Sequence, residues 1–331
     1  MAVSALFANT FSASFNKFGH KEALKNEKAP APTNKELFKE ITVVKALNKA
    51  KFPVYLISSK LNKKNYAMKV FPFKNRQSHP YFHNELRFAR LNHENVINIC
   101  YAETEKETLS KGVVSKVSYT IMEYASNGDF FDFVMNHSAQ IDEKLARTYF
   151  RQLIQGLEYL HGNGVSHMDL KLENLLMDEN YNLKIADFDL SYVDGDSKVL
   201  SKGTKFYRAP DVMSGVCSNT RAADIYAAGI VLFTFKSKGI LAHSENNLIG
   251  GVNFSELLHN NDPKFWTKHA EVQKRDASFF DQDFKDLFIG MTRPKPSDRI
   301  SIEEVKKSKW YNGPHYTPEE LKSKVSKILN H

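Results

Sequence analysis

The chain has 331 residues, 42% hydrophobic and 25% charged, which suffices for a substantial core and excludes a wholly disordered chain. Its longest largely apolar run, Ile225 to Phe235, has 11 residues, whereas a membrane-crossing helix needs ~20, so no membrane span is expected. The net charge of +8 is unevenly placed: residues 1–74 hold 14 Lys, no Arg and 4 Glu, an excess of +10, and the remaining 257 residues sum to −2.

In chain order, residues 1–40 read as a flexible basic arm ending in the stiff stretch Ala29-Pro30-Ala31-Pro32-Thr33. Its lysines follow no helical stripe and few aromatics alternate with them, so the reading is a solvated surface with no nucleic-acid partner. Met1 to Phe18 carries its first side-chain charge at Lys17, unlike a secretory signal, and has no Arg for a transit peptide. Ile41 to Leu47, Val54 to Ser58 and Tyr66 to Phe71 are β-rich runs parted by polar turns, hence antiparallel strands. Tyr81 to Leu91 has helical spacing, and Val113 to Tyr124 reads as a strand pair. After Gly128 the chain turns helical. Leu145 to His161 puts Ala146, Tyr149, Phe150, Leu153, Leu157 and Leu160 on one stripe, and Asp224 to Phe235 is apolar all round. Phe284 to Met291 and Ser301 to Trp310 are further helices, and Thr317 to Leu329 is amphipathic through Leu321, Val325 and Leu329. The pattern is α+β: a strand-rich part followed by a helical one, and such a junction commonly forms a ligand cleft. Cys100 and Cys217 form no C-x-x-C pair, which suits a reducing compartment and a cytoplasmic location.

The strongest chemical signal is His167-Met168-Asp169-Leu170-Lys171-Leu172-Glu173-Asn174, followed 18 residues after Asp169 by Asp187-Phe188-Asp189. Asn182 to Ala186 reads as a strand, so a hairpin can bring Asn174 and Asp187 onto one hard cation and leave Asp169 to accept a proton from a hydroxyl nucleophile. With Tyr66-Ala67-Met68-Lys69, Ala209-Pro210-Asp211, Asp224 in a central helix and Arg299 late in the chain, this order resembles the eukaryotic protein kinase family, serine/threonine type, over about Ile41 to Trp310.

The resemblance implies a bilobal fold: a strand-rich N-lobe with one main helix (41–122), a hinge (123–126) and a helical C-lobe (127–311), with a helical tail over 312–331. It implies ATP and Mg as cofactors, protein substrates and a monomer. Lys69 then neutralises the α- and β-phosphates and Glu85 holds it, although Glu85 lies only eight residues before His93. Adenine lies among Leu47, Tyr55, Ala67 and Leu176, with Met122 behind it; main-chain groups of Glu123 and Ala125 bond its edge, and Asp129 reaches the ribose. Asp169 is the base, Lys171 offsets charge on the moving phosphoryl group, Asn174 and Asp187 hold the metal, and Thr204 braces Asp169 and Lys171.

Departures from the family pattern leave a second reading open, a pseudokinase acting as a nucleotide-binding or scaffold module. The glycine-rich loop falls on Asn48-Lys49-Ala50-Lys51-Phe52-Pro53, where glycine is absent and Pro53 lacks an N–H to offer phosphate. Met168 replaces the arginine that receives a phosphate on the activation segment, with Arg147 as an alternative partner. Asp189 replaces the glycine of D-F-G, and Asp211 replaces the glutamate that pairs with Arg299.

Overall fold

A computed structural model describes residues 34–48, 51–73, 75, 77–110, 113–196, 203–215, 217–243, 248–249 and 252–330. Ala50, Lys49 and the activation-segment positions Ser197, Lys198, Ser201 and Lys202 lie outside the described residues, as does the arm up to Thr33. The chain divides into two compact units: one takes the described residues up to Asn92 together with Ile97–Tyr124, the other His93–Val96 and the chain from Ala125 onward.

The first unit is a five-stranded antiparallel sheet of β1 (Ile41–Ala46), β2 (Val54–Ser59), β3 (Asn65–Pro72), β4 (Ile99–Ser110) and β5 (Val113–Glu123), in the order β1-β2-β3-β5-β4. Period-two alternation gives it two faces. On one, Tyr55, Ile57, Met68, Val70, Tyr119 and Ile121 bury against Phe38. Packed structure therefore starts inside the expected arm: Phe38 is 3% exposed, its ring meets Tyr66 edge-on at 4.9 Å, and Ser59 Oγ donates to Leu37 O at 2.6 Å. Helix α1 (Pro80–Leu86) opens with Pro80 in its first turn and with His79 Nδ1 accepting from Tyr81 N at 3.2 Å. It stops five residues short of the expected Leu91, because residues 87–91 continue as tighter turns that bond three residues back. The expected strand pair at 113–124 is one strand, β5. Its partner β4 went unread because Glu103, Glu105, Lys106 and Glu107 break the apolar alternation, and the register shifts twice along it.

In the second unit, α2 (Phe130–His137) precedes α3 (Glu143–Gly162), whose six predicted stripe residues are all buried. Asp142 caps α3, accepting from Leu145 N at 2.8 Å. Short strands follow: β6 (Val165–Ser166), β7 (Leu175–Met177), β8 (Leu183–Ile185) and β9 (Tyr192–Val193), paired as β6-β9 and β7-β8. After α4 (Pro210–Met213) comes α5 (Thr220–Lys236), buried from Ala222 to its end, as its all-round apolar sequence requires. Around Phe233 on α5 gather aromatics of α7 (Lys264–Val272) and α8 (Gln282–Met291), with the Phe233 and Phe288 ring centroids 5.0 Å apart, and Phe254 of α6 (Phe254–His259) packs on His269 of α7. Helices α9 (Ile302–Lys307) and α10 (Pro318–Leu329) complete the unit. The tail helix docks on α3: Leu321, Val325 and Ile328 are buried, Glu320 pairs with Lys144 at 3.0 Å, and Lys324 with Asp142 at 2.9 Å. Ile328, rather than the expected Leu329, supplies the third buried position. No helix among the described residues is long and apolar enough to cross a membrane.

Candidate active site

Each unit carries one set of the expected residues. In the first, β3 places Lys69 in the sheet at 6% exposure, and its Nζ lies 2.5 Å from Glu85 Oε2. Thr120, Lys69's partner across β3-β5, donates its hydroxyl to Glu85 Oε1 at 2.7 Å. Both carboxylate oxygens of Glu85 are thus engaged, and the short α1 holds the pair close despite the unusual spacing to His93. Thr120 was not among the expected site residues; a threonine in a strand carries no signature of that role.

The face shared by Lys69 and Ala67 is fixed by cross-strand register. Lys69 pairs with Val54 and Thr120, and Ala67 with Leu56 and Met122. Tyr55 pairs with Met68 and buries on the opposite face, with Phe38. The assignment of Tyr55 to the nucleotide is therefore corrected: Val54 and Leu56 occupy the Lys69 face, because the loop before β2 is one residue shorter than the glycine-rich pattern and a one-residue slip reverses every side chain. Leu47 follows Ala46, which packs on the Phe38 side, and is 38% exposed. Glu123 spends its N–H on Asn98 O at 3.0 Å and its carboxylate on Asn98 N at 2.7 Å, so a bond from it to a base edge would run through its carbonyl.

The loop that lacks glycines is held by other means. Asn48 Oδ1 accepts from Val54 N at 3.0 Å and closes the loop at its base. Phe52 is 7% exposed and packs on Phe71, His79 and Tyr81, with centroids 4.8, 4.9 and 5.7 Å away. Lys51 Nζ lies 4.6 Å from the Tyr81 ring.

In the second unit, Asp169 is 8% exposed and its carboxylate accepts four bonds from the described residues. Thr204 N (2.7 Å) and Thr204 Oγ1 (2.8 Å) reach Oδ1, while Lys171 Nζ (2.9 Å) and Asn174 Nδ2 (3.2 Å) reach Oδ2. Lys171 Nζ also donates to Thr204 Oγ1 at 3.0 Å, so Thr204 is bonded to both residues. Gly203, at φ +75°, makes this possible: a Cβ there would run into the Met168 carbonyl. The β7-β8 hairpin brings Asn174 beside Ala186, whose N–H donates to Asn174 O at 2.9 Å, and so places Asp187 next to it. Asn174 turns its amide nitrogen to Asp169, which leaves Oδ1 as its metal-facing atom; with the Asp187 carboxylate this is an all-oxygen donor set, fit for a hard divalent cation. Asp189 is buried and takes an ordinary φ, whereas Asp187 itself adopts φ +70°. Leu176 bridges to Asp129, whose Oδ1 caps α2 through Asp132 N at 2.9 Å; burial, foremost, raises the Asp129 pKa. Ala125 is buried at the start of this unit.

Beneath the loop, Asp224 (1% exposed) accepts from His167 N at 2.7 Å, Met168 N at 2.8 Å and His161 Nε2 at 2.9 Å, pinning the backbone that presents Asp169. His167 meets Ala186 O through Nε2 at 2.9 Å and accepts from Asp169 N at Nδ1 (3.3 Å), which requires the neutral ring protonated on Nε2. Met168 is buried at φ +65° and, with Leu170, Tyr207 and Val212, lines a small cavity. Arg147 is no substitute for the missing arginine: it donates to Trp310 O, Pro314 O and Glu143 Oε1 at 2.6, 2.7 and 2.8 Å, and stacks on Trp310. Asp211 reaches Arg299 at 2.5 Å through Oδ1 alone, and its buried Oδ2 has no hydrogen-bond partner among the described residues.

The family model for the protein kinase domain matches residues 50–311. Similar curated proteins include CBL-interacting protein kinase 26 of Oryza sativa subsp. japonica, 36% identical over 198 residues (58% of this chain, 37% of the relative). CBL-interacting protein kinase 28 of the same organism is 32% identical over 236 residues (70% and 48%). CBL-interacting serine/threonine-protein kinase 8 of Arabidopsis thaliana is 35% identical over 206 residues (61% and 42%). The match spans less than half the length of each of these relatives.

Proposed function

The chain belongs to the protein kinase domain family, and from that premise we propose that it is an active serine/threonine kinase, transferring the γ-phosphate of ATP to hydroxyls of protein substrates. The observation that supports this reading is the Asp169-Lys171-Asn174-Thr204 network, in which Lys171, Asn174 and Thr204 all donate to the Asp169 carboxylate. Asp169 is placed to orient the acceptor hydroxyl and take its proton. Lys171, tied to Asp169 and Thr204, puts a positive charge where the moving phosphoryl group develops negative charge. The neutral His167 and the carboxylate of Asp224 keep the loop rigid, so little reorganisation is needed during reaction. In the first unit, Lys69 is oriented by Glu85 as a point charge for the nucleotide phosphates. Asn174 and Asp187 would hold Mg²⁺, which would neutralise phosphate charge and polarise the transferring group.

Nothing in the comparisons or the site favours the scaffold reading, in which this network has no task. The test is incorporation of labelled phosphate from ATP into a Ser/Thr substrate. Asp169→Ala is expected to cut turnover by ~10²–10⁴-fold while leaving nucleotide affinity nearly intact. Equal incorporation by wild type and Asp169→Ala would overturn the proposal in favour of the scaffold.

A further inference from the structure

An open groove of about 570 Å³ runs in the second unit between α10 and the turn that follows α2. Lys238, Lys324 and Lys327 line it over an apolar floor of Ile141 and Ile328, and Asp142 is the one carboxylate among the described lining residues. None of these residues takes part in the Asp169 network.

The charge of the groove follows from its pairings. Lys324 is matched by Asp142 at 2.9 Å. Burial alone would raise the Asp142 pKa, but bonds from Lys324, the Leu145 N–H and the Tyr316 hydroxyl outweigh it and hold the carboxyl below its usual range, so Asp142 is ionised. Nearby acids are spent elsewhere: Glu320 on Lys144, Glu143 on Arg147 and Lys236. Among the described residues, Lys238 and Lys327 therefore give the groove a net charge of two positives. Lys238 stands at φ +57° just past the end of α5, a conformation that glycine or asparagine adopts with less strain.

The groove also has an apolar shoulder. Met135 and Phe131 lie one turn apart on α2 and are 53% and 42% exposed. Met135 Sδ sits 3.2 Å from where a Cβ on Gly239 would be, directly beside Lys238. Cations along a channel and an exposed thioether beside Lys238 complement one kind of ligand: an extended chain carrying several carboxylates and a bulky apolar side chain.

We propose that this groove docks an acidic segment of the kinase's protein substrates, away from the residues that bind the acceptor hydroxyl. The identity of the occupant as a substrate rests on the proposed kinase activity; the groove's ligand chemistry does not.

The probe is a fluorescein-labelled peptide in which Glu and Asp residues surround a single Phe, titrated with the full chain and followed by anisotropy. Binding is expected, weakening as ionic strength rises. Loss of at least about tenfold in affinity is expected for Lys238→Glu/Lys327→Glu, with a smaller loss for Met135→Ser. Lys238→Gly removes the charge while relieving the backbone, so it tests the same point in a variant that keeps the fold. Phosphorylation of a short acceptor peptide without acidic residues is expected to be unchanged in these variants. The proposal is overturned by an absence of binding, by unchanged affinity in Lys238→Gly and the double variant, or by equal binding of a peptide with every acid replaced by its amide. Peptide binding by a protein that transfers no phosphate would sink the kinase reading and leave the groove's ligand chemistry standing.

Discussion

Asp211 shows how one methylene changes a buried ion pair. Its shorter side chain still reaches Arg299, whose side chain is fully buried, but through a single oxygen, and the other oxygen is left in the interior without a donor among the described residues. Arg299 also donates to the carbonyls of Arg293, Pro294 and Ala222, so it stays well satisfied while the carboxylate does not. Removing the carboxylate would leave the guanidinium charge uncompensated. Asp211→Ala is therefore expected to destabilise the second unit by about 3 kcal/mol. Urea unfolding followed by tryptophan fluorescence checks this, since Trp266 and Trp310 are both buried in that unit. An unchanged midpoint would mean that the backbone acceptors alone hold Arg299.

At the scale of elements, the loop between β1 and β2 exchanges glycine's freedom for side-chain anchors. Asn48 closes it and Phe52 ties it to an aromatic cluster, but Pro53 offers no N–H to a phosphate. ATP binding is expected to be weak for a kinase, with KM towards or above the top of the ~1 μM–1 mM range usual for enzymes. Restoring glycine at 48, 50 and 53 should lower it; a wild-type dissociation constant in the low micromolar range would show that the anchors compensate. The activation segment differs in another way. Met168 cannot pair with a phosphate, Arg147 is committed to the C-terminal segment, Ser191 is buried against His167 O, and the Thr204 hydroxyl serves Asp169. Phosphatase treatment, verified by mass spectrometry, is thus expected to change the initial rate by less than about tenfold, or ~1.4 kcal/mol in barrier. These features differ in how far the sequence displays them. The Asp169 network was legible because its donors lie within a few residues of their acceptors or at spacings that repeat in the family. Helix α3 was legible from its apolar period and α5 from its largely apolar run. The faces of β2 were not, because Tyr55 and Val54 exchange roles with a one-residue change in loop length that shows only in the pairing with β3. Nor was the role of Arg147, since its main acceptors are backbone carbonyls of Trp310 and Pro314, which carry no residue signature.

Across the second unit as a whole, buried histidines link stability to pH. Tyr226 OH lies 3.2 Å from His243 Nε2 and 2.9 Å from His259 Nε2, while His269 bonds to Ala242 O at 3.0 Å and has a buried Nδ1 without a partner among the described residues. Burial, with a smaller contribution from His259 and His269, lowers the His243 pKa to about 4, and burial lowers that of His269 to about 4, from 6.5. The unfolded chain thus binds more protons than the folded one between those values. Stability is expected to be full above pH 6.5 and to fall as the pH drops towards 4, by at most ~3 kcal/mol per histidine. Tryptophan-monitored urea midpoints across this range check it, and His269→Gln should flatten the profile; a wild-type midpoint constant from pH 7 to 4.5 would refute the linkage. The docking of the C-terminal segment on α3 has a consequence in time. Arg147 finds its acceptor 163 residues later at Trp310, and Lys144 its partner 176 residues later at Glu320. At ~5–20 residues per second, synthesis separates these partners by roughly 10–35 s. Throughout that interval the nascent α3 carries an arginine that no finished structure yet receives, so the first turns of this helix, though made early, are among the last parts of the unit to mature.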